Sequence, residues 1–406
     1  MKDTRTMTLS DATLRYGEGF CEALLGLDAL YAAEQTAGGA GPADDLERLV
    51  VLNMSTTHQP EPFADYAAAI ARFTELGAAA TALPERDRQR YYAQASGSAV
   101  AFATWRSTGL PFPDQIGRFL HIPSALASDA ELDAIRGEMR TALTDMGYSG
   151  DLVRQMADWE ARQRVPADEV QGTLDELMSE AWDRTAEVMQ IPSDKSDGMK
   201  VRTVSGAPFN ARCDFTNRTV DLNIDPVLTM PGLRHLAVHE GYPGHYVQFT
   251  RRRVAYENGT GPADNLLSVV NTASSTPFEG IADVGMRVIG WDRSPDDHLS
   301  GLLSRYRSGI GTRAAWRLHA EGWAPSAVRD EIHRDALTGG EGWVDGRMRF
   351  ISRPDRAALI WSYWQGEPAV GAAWDQVKDR QDAWPDYFTF LYDRMHSAET
   401  VGMFAG

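Results

Sequence analysis

The stretch Leu236-Ala237-Val238-His239-Glu240-Gly241-Tyr242-Pro243-Gly244-His245-Tyr246-Val247-Gln248 sets two imidazoles and a carboxylate beside a break in the backbone. These are the components of a zinc site that carries its own general base. In a His-Glu-x-x-His pattern the histidines stand four residues apart, about 40° around a helix, so both face one metal. His239 and His245 stand six apart. On an unbroken helix that spacing turns the second imidazole by about 120° and carries it roughly 9 Å along the axis, too far to share an ion. The chain must therefore bend between them. Gly241, Pro243 and Gly244 supply the bend, because proline removes a helical donor and glycine accepts unusual dihedrals. The expectation is a helix that loops out and returns His245 to the metal, within a mainly α fold.

A third protein ligand is expected from Thr276-Pro277-Phe278-Glu279-Gly280-Ile281-Ala282-Asp283. Pro277 suits a first helical turn, so Glu279 and Asp283 fall four apart on one helical face. Glu279 is the expected metal ligand. Asp283 is expected to accept the N–H of a ligating histidine and so fix its tautomer. His239, His245 and Glu279 with one open position describe a catalytic Zn2+ site rather than a closed structural one. Glu240 is then the base that takes a proton from water at the metal.

At these residues the chain resembles the bacterial family called domain of unknown function 885, whose signature reads like His-Glu-Gly-x-Pro-Gly-His-His-x-Gln. The stretch HEGYPGHYVQ departs from it only at Tyr246. A second block of the family, similar to Phe-x-Glu-Gly-Trp-Ala-Leu-Tyr-Ala-Glu, is echoed by Phe278-Glu279-Gly280. A third is echoed by Ala315 to Trp323, and a fourth by Tyr363-Trp364-Gln365-Gly366. The likeness covers roughly residues 200 to 380. It implies a zinc metallopeptidase of mainly helical fold, and by position in the blocks it makes His319 and Tyr363 candidates to donate hydrogen bonds to the developing oxyanion. Relatives in that family look longer and exported, which this chain does not match.

Arg353 and Arg356 are candidates to clamp a substrate carboxylate, since guanidinium suits bidentate pairing. The balance of 57 acidic against 40 basic residues leaves a net charge of −17, which opposes binding to nucleic acid or to an anionic membrane. The triplet Arg251-Arg252-Arg253 reads as a solvated face or an internal salt-bridge patch. Cys21 and Cys213 are too few for a disulfide framework, although they could pair. No apolar leader or membrane span is evident, so the cytoplasm is the expected compartment.

With 406 residues the chain is read as a single catalytic domain, 1–406, with two lobes, a helical N-terminal half 1–195 and a metal-site half 196–406, enclosing a central cleft. Helices are expected over 11–34, 65–82, 84–107, 129–146, 149–164 and 166–190, with a loop at Gly38 to Pro42. Short strands are expected at 200–204, 209–215 and 219–224, turning at Thr216 to Arg218, as one small antiparallel sheet beside the metal helix. Its edge could pair with an extended substrate or merely prop up the helix. Helices resume after Pro262, and Trp316, Trp323, Trp343, Trp361, Trp364, Trp374 and Trp384 are expected mostly in the core.

The leading expectation is a zinc-dependent hydrolase of an amide bond in a short peptide or acylated amino acid. A second is the same site turned to a non-hydrolytic small-molecule step, elimination or ring closure, in a biosynthetic pathway. A third is a metal-free scaffold, against which the presence of Glu240 argues. The expected partner is a small molecule or short peptide; nothing in the sequence sets an oligomeric state.

Overall fold

Helix after helix is entered through a side-chain cap. Ser10 accepts from the Thr13 amide, Asp65 from Ala68 and Asp151 from Arg154, while Ser128 and Glu131 form a reciprocal capping box. The structure, a computed structural model, describes residues 9–38, 47–189, 198–207 and 211–404. The expected loop after Gly38 and the Phe209 end of the second expected strand lie outside those residues.

The chain begins with α1 (Asp11–Ala37), β1 (Val50–Asn53), α2 (Tyr66–Ala79), α3 (Arg86–Thr108) and α4 (Phe112–Leu120). There follow α5 (Asp129–Asp145), α6 (Leu152–Gln163), α7 (Val170–Met189), β2 (Lys200–Val204), β3 (Ala211–Asp214) and β4 (Thr219–Asn223). Next come α8 (Met230–Leu236), α9 (His245–Glu257), β5 (Leu267–Val269), α10 (Ser275–Val288) and α11 (Pro295–His319). The last are α12 (Pro325–Asp335), α13 (Gly340–Ile351), α14 (Ile360–Asp375), α15 (Trp384–Tyr392) and α16 (Ala398–Val401). The fold is mainly α, as the sequence implies. The six helices expected before residue 190 appear as α1, α2, α3, α5, α6 and α7, with α4 in addition.

Contacts divide the chain into two compact units that are interleaved in sequence, rather than at the 195/196 boundary expected from sequence. One comprises Met1–Ser124, Gln248–Phe278 and Pro368–Gly406. Its core joins Phe20 of α1 to Tyr92 of α3, ring centroids 5.2 Å apart, and β1 pairs antiparallel with β5, Val50 opposite Val269. The arginine triplet divides between the two expectations: Arg251 donates to Asp393 at 2.6 Å and Arg252 is buried, whereas Arg253 is on the solvated face, 3.8 Å from Glu257. A hollow of about 430 Å³ in this unit is lined by residues including Phe73, Ser96, Val100 and His121, and none of the expected metal ligands lines it.

The other unit comprises Ala125–Val247 and Glu279–Glu367. Leu132, Ile135, Met139 and Leu143 of α5 recur at helical spacing and pack on Leu299, Leu303, Tyr306 and Ile310 of α11 in one buried cluster. Its sheet has the order β2-β4-β3, with β2 parallel and β3 antiparallel to β4. The single antiparallel sheet expected from sequence is therefore corrected on two counts. The sheet that precedes the His239–His245 segment is mixed, because only β3 and β4 form a hairpin while β2 runs alongside β4 in the same direction. A second, two-stranded sheet is made by β1 and β5. Buried Asp221 on β4 holds Arg202 at 2.7 Å and Arg212 at 2.9 Å, which fixes the flanking strands. Trp361 and Trp364 are core, as expected, whereas Trp323 is exposed.

Two glycines from separate sequence blocks meet in this unit. A Cβ on Gly280 of α10 would lie 2.2 Å from the carbonyl oxygen of Gly366 on α14, so the two backbones touch. Gly280 follows Glu279 and Gly366 lies three residues after Tyr363. The contact therefore sets the backbone that follows Glu279 directly against the backbone that follows Tyr363. Gly280→Ala is expected to lower stability by about 1–3 kcal/mol, the usual cost of overpacking, read as a lower thermal midpoint.

Candidate metal centre

The break between the histidines takes a definite form. Thr229 caps α8, with Pro231 in its first turn, and the helix then widens into a π turn over Ala237–Gly241. The peptide between Tyr242 and Pro243 is cis, and α9 opens at His245. The amide of Tyr242 donates to the Ala237 carbonyl at 3.1 Å, and that of Gly244 to Val238 at 2.9 Å. A Cβ on Gly244 would fall 2.0 Å from the His239 carbonyl oxygen, so only glycine lets the chain fold back here. Tyr242 anchors the loop: its hydroxyl accepts from the Met199 amide at 2.6 Å, and its ring meets Trp182 of α7 edge-on at 4.8 Å. Gly285 of α10 lies against Val238 and Pro243, where a Cβ would clash at 2.6 Å.

The result is the expected return of His245. The rings of His239 and His245 stand 4.6 Å apart at 78° to each other. Glu279 Oε2 lies 3.3 Å from His239 Nε2 and 3.6 Å from His245 Nε2. One donor atom from each of the three residues falls within 4.8 Å of the others, a spread that a single cation can bridge. Glu279 Oε2 is sealed from solvent yet makes no well-aligned hydrogen bond. A buried carboxylate oxygen left without a donor and facing two imidazole nitrogens fits a divalent cation, and the nitrogen and oxygen donor set suits Zn2+.

Asp283 completes the arrangement as the sequence implies. Its Oδ1 lies 2.9 Å from His239 Nδ1, so Nδ1–H donates to the carboxylate and Nε2 keeps its lone pair for a metal. Burial opposes charge on His239, but the hydrogen bonds and charges of Asp283 and Glu279 outweigh it and push its pKa well above the usual imidazole range. Burial also opposes ionisation of Glu279, and His239 and His245 together overcome it, drawing the carboxyl down to about 2. Asp283→Asn is expected to weaken zinc binding by about 10- to 100-fold, the usual cost of losing such a partner, measured by competition with a chelator.

His235 is a further member not singled out from the sequence. Its Nε2 lies 3.5 Å from Asp283 Oδ1, and burial pushes its pKa down. With His239 and Asp283 it forms a second grouping of donor atoms within 4.8 Å. The signal is present in the sequence: His235 stands four residues before His239, on the same helical face.

Glu240 sits in the π turn beside His239 and outside the group of three donors. Its charge reaches the Cys213 thiol on β3 and the Tyr363 hydroxyl on α14, and adds to burial in raising both pKa values. Tyr363 also feels Glu279 and Asp283, so its hydroxyl stays protonated and remains a donor. His319 is engaged elsewhere: its Nε2 lies 2.6 Å from the Ile351 carbonyl and ties α11 to α13. Arg353 and Arg356 share buried Asp355, at 3.7 and 3.4 Å, rather than standing free for a substrate. Both cysteines are free thiols.

The chain matches no protein-family model and no curated protein. Among solved structures it is similar to a candidate lipoprotein from Colwellia psychrerythraea, with a TM-score of 0.56 and 16% identity, over 83% of this chain and 66% of that one. It is also similar to a candidate lipoprotein of unknown function from Shewanella oneidensis, with a TM-score of 0.51 and 13% identity, over 83% of this chain and 71% of that one. The chain thus spans about two thirds of the length of these neighbours. Among the described residues no helix is long and apolar enough to cross a membrane. At such identities the likeness is one of fold: the chain shares a mainly helical architecture with these two bacterial proteins.

Proposed function

We propose that this chain is a zinc-dependent hydrolase that cleaves an amide bond in a short peptide or an acylated amino acid, and that it is a metallopeptidase-like relative of the family named from its sequence blocks. The observation that carries the reading is the convergence of His239, His245 and Glu279 donor atoms within 4.8 Å, with Asp283 on His239 Nδ1. Bound zinc supplies a Lewis acid that polarises a carbonyl and acidifies water. Asp283 holds the His239 tautomer. Glu240 takes the proton from the attacking water and returns it to the departing nitrogen, so that water and amide become acid and amine. Tyr363, kept protonated by burial and by neighbouring carboxylates, donates to the oxygen that gains charge. We assign the chain to the cytoplasm, an assignment supported by its two free thiols and reversed if fractionation recovers it with membranes.

Two measurements test the reading together. Metal analysis of the purified protein is expected to find one zinc per chain, and a library of short peptides and acyl amino acids is expected to release free amine. A zinc-loaded protein that cleaves none of them removes the hydrolase and leaves the non-hydrolytic alternative.

A further inference from the structure

Several buried carboxylates are answered by partly or largely exposed arginines. In the unit that holds the metal centre, Asp221 answers Arg202 and Arg212, Asp297 answers Arg234, and Asp355 answers Arg353 and Arg356. Arg347 on α13 is different. Its Nε is sealed from solvent without an acceptor, and among the described residues it has neither an ion pair nor a hydrogen bond. Its one neighbouring support is Trp343, whose ring centroid lies 5.5 Å from the guanidinium carbon. The same indole carries a second guanidinium, Arg307 on α11, at 4.6 Å. Arg307 donates to the Thr338 carbonyl and hydroxyl at 2.6 and 2.9 Å, and its Nε is also sealed without an acceptor.

Two cations thus share one indole, Arg347 without a carboxylate and Arg307 with only the more distant charge of Glu160, in a chain that has 57 acidic residues against 40 basic. Scarcity of acids is not the reason. Leaving a half-buried guanidinium with a sealed, unsatisfied Nε is costly and persists where something else compensates it. The position says what that is. Burial pushes Arg347 down to about 10, and Phe350, three residues further along the same helix, brings its ring to 6.2 Å from that of Tyr363. Tyr363 in turn feels Glu279, Glu240 and Asp283. The helix that carries Arg347 therefore packs on Tyr363, whose hydroxyl senses the carboxylates of the candidate metal centre. A Cβ built on Gly311 of α11 would lie 3.7 Å from the Arg347 Cδ, so the Arg347 stem runs beside that glycine.

We infer that Arg347, braced by Trp343 and backed by Arg307, receives the carboxylate of the substrate, so that the hydrolase acts on a free acid: a peptide with an unblocked C-terminus or an N-acyl amino acid. The planar guanidinium offers the paired donors that a carboxylate takes. This inference names the substrate class of the hydrolase proposed above and rests on that reading; the anion site itself does not need turnover to be seen.

The experiment therefore has two arms. In the first, zinc-loaded protein is assayed on N-acetyl dipeptides and on the same dipeptides as C-terminal amides. Wild type is expected to prefer the free acid by about 100-fold in kcat/KM, the scale of a desolvated charge pair. Arg347→Gln should erase that preference by slowing only the free acid, and Arg347→Lys should restore part of it. In the second arm the full chain is stripped of metal and titrated with N-acetylalanine and with inorganic phosphate, followed by its melting temperature. N-acetylalanine is expected to raise the wild-type midpoint and leave Arg347→Met unmoved, while ligand-free Arg347→Met melts no lower than wild type because an unpaired charge has gone. A binding response in wild type without cleavage of any dipeptide keeps the anion site and removes the hydrolase. Cleavage without preference for the free acid, or an N-acetylalanine response that survives in Arg347→Met, overturns the anion site and leaves the hydrolase standing. A response to phosphate alone overturns the carboxylate assignment.

Discussion

Glu240→Gln is expected to leave zinc content and thermal midpoint unchanged and to lower kcat by about 10²- to 10⁴-fold, the range of a positioned general base. The substitution keeps shape and one carbonyl oxygen while removing the ability to accept a proton. Metal retention is expected because Glu240 is outside the three donors that converge on the site. Folding is expected to survive because the turn around it is held by other groups: the Ala237–Tyr242 and Val238–Gly244 backbone hydrogen bonds, and the Tyr242 ring and hydroxyl. Steady-state kinetics, metal analysis and a melting curve on the same preparation make the test. A variant that keeps full turnover, or one that loses zinc in parallel with activity, removes Glu240 from the role of base.

Glu279→Ala is expected to cost more in zinc affinity than Asp283→Asn, exceeding the roughly 100-fold upper limit for loss of an outer partner. The reason is geometric. Its Oε2 faces both Nε2 atoms, and without it two imidazoles alone must hold the cation. Chelator competition at fixed pH reads the loss directly. The same titration has a sign in pH. Because Asp283 and Glu279 raise the His239 pKa, a proton competes with zinc for that imidazole, and affinity in the wild type climbs as pH rises through the His239 pKa. For the metal-free chain the protonated imidazole contributes stability that is present below the unfolded-state value of about 6.5 and is lost as pH rises through the higher folded value. Removal of Glu279 takes away one cause of the shift, so both transitions move to lower pH. An unchanged affinity after Glu279→Ala excludes it as a ligand.

The site was legible where chemistry and backbone punctuation coincide. Six residues between two histidines is unworkable on a straight helix, and Gly241, Pro243 and Gly244 state the remedy in sequence; the structure realises it as a π turn and a fresh helix start. Glu279 and Asp283 were legible because a proline-led helix places them one turn apart. What stayed hidden depends on distant partners. β1 and β5 are short and pair across more than two hundred residues of chain, so neither carries a pattern that local reading can detect. Arg353 and Arg356 resemble a clamp until Asp355 is seen between them. Arg347 resembles any surface arginine until the carboxylates near it have all been accounted for. His319 shows the limit of position in a motif: its place in the block says nothing of the Ile351 carbonyl that occupies its nitrogen.

The interleaving of the two units bears on how the polypeptide can be handled. Each draws its parts from separated stretches, one from three and the other from two. No single cut therefore releases either as a contiguous fragment, and a truncation near residue 195 divides the hydrophobic cluster that joins α5 and α6 to α11. Bringing such separated stretches together requires closure of long loops, an entropic cost that local helix formation does not meet. During synthesis, the imidazoles near residue 240 leave the ribosome before their carboxylate partners, and the three donor residues come together only once α10 has followed.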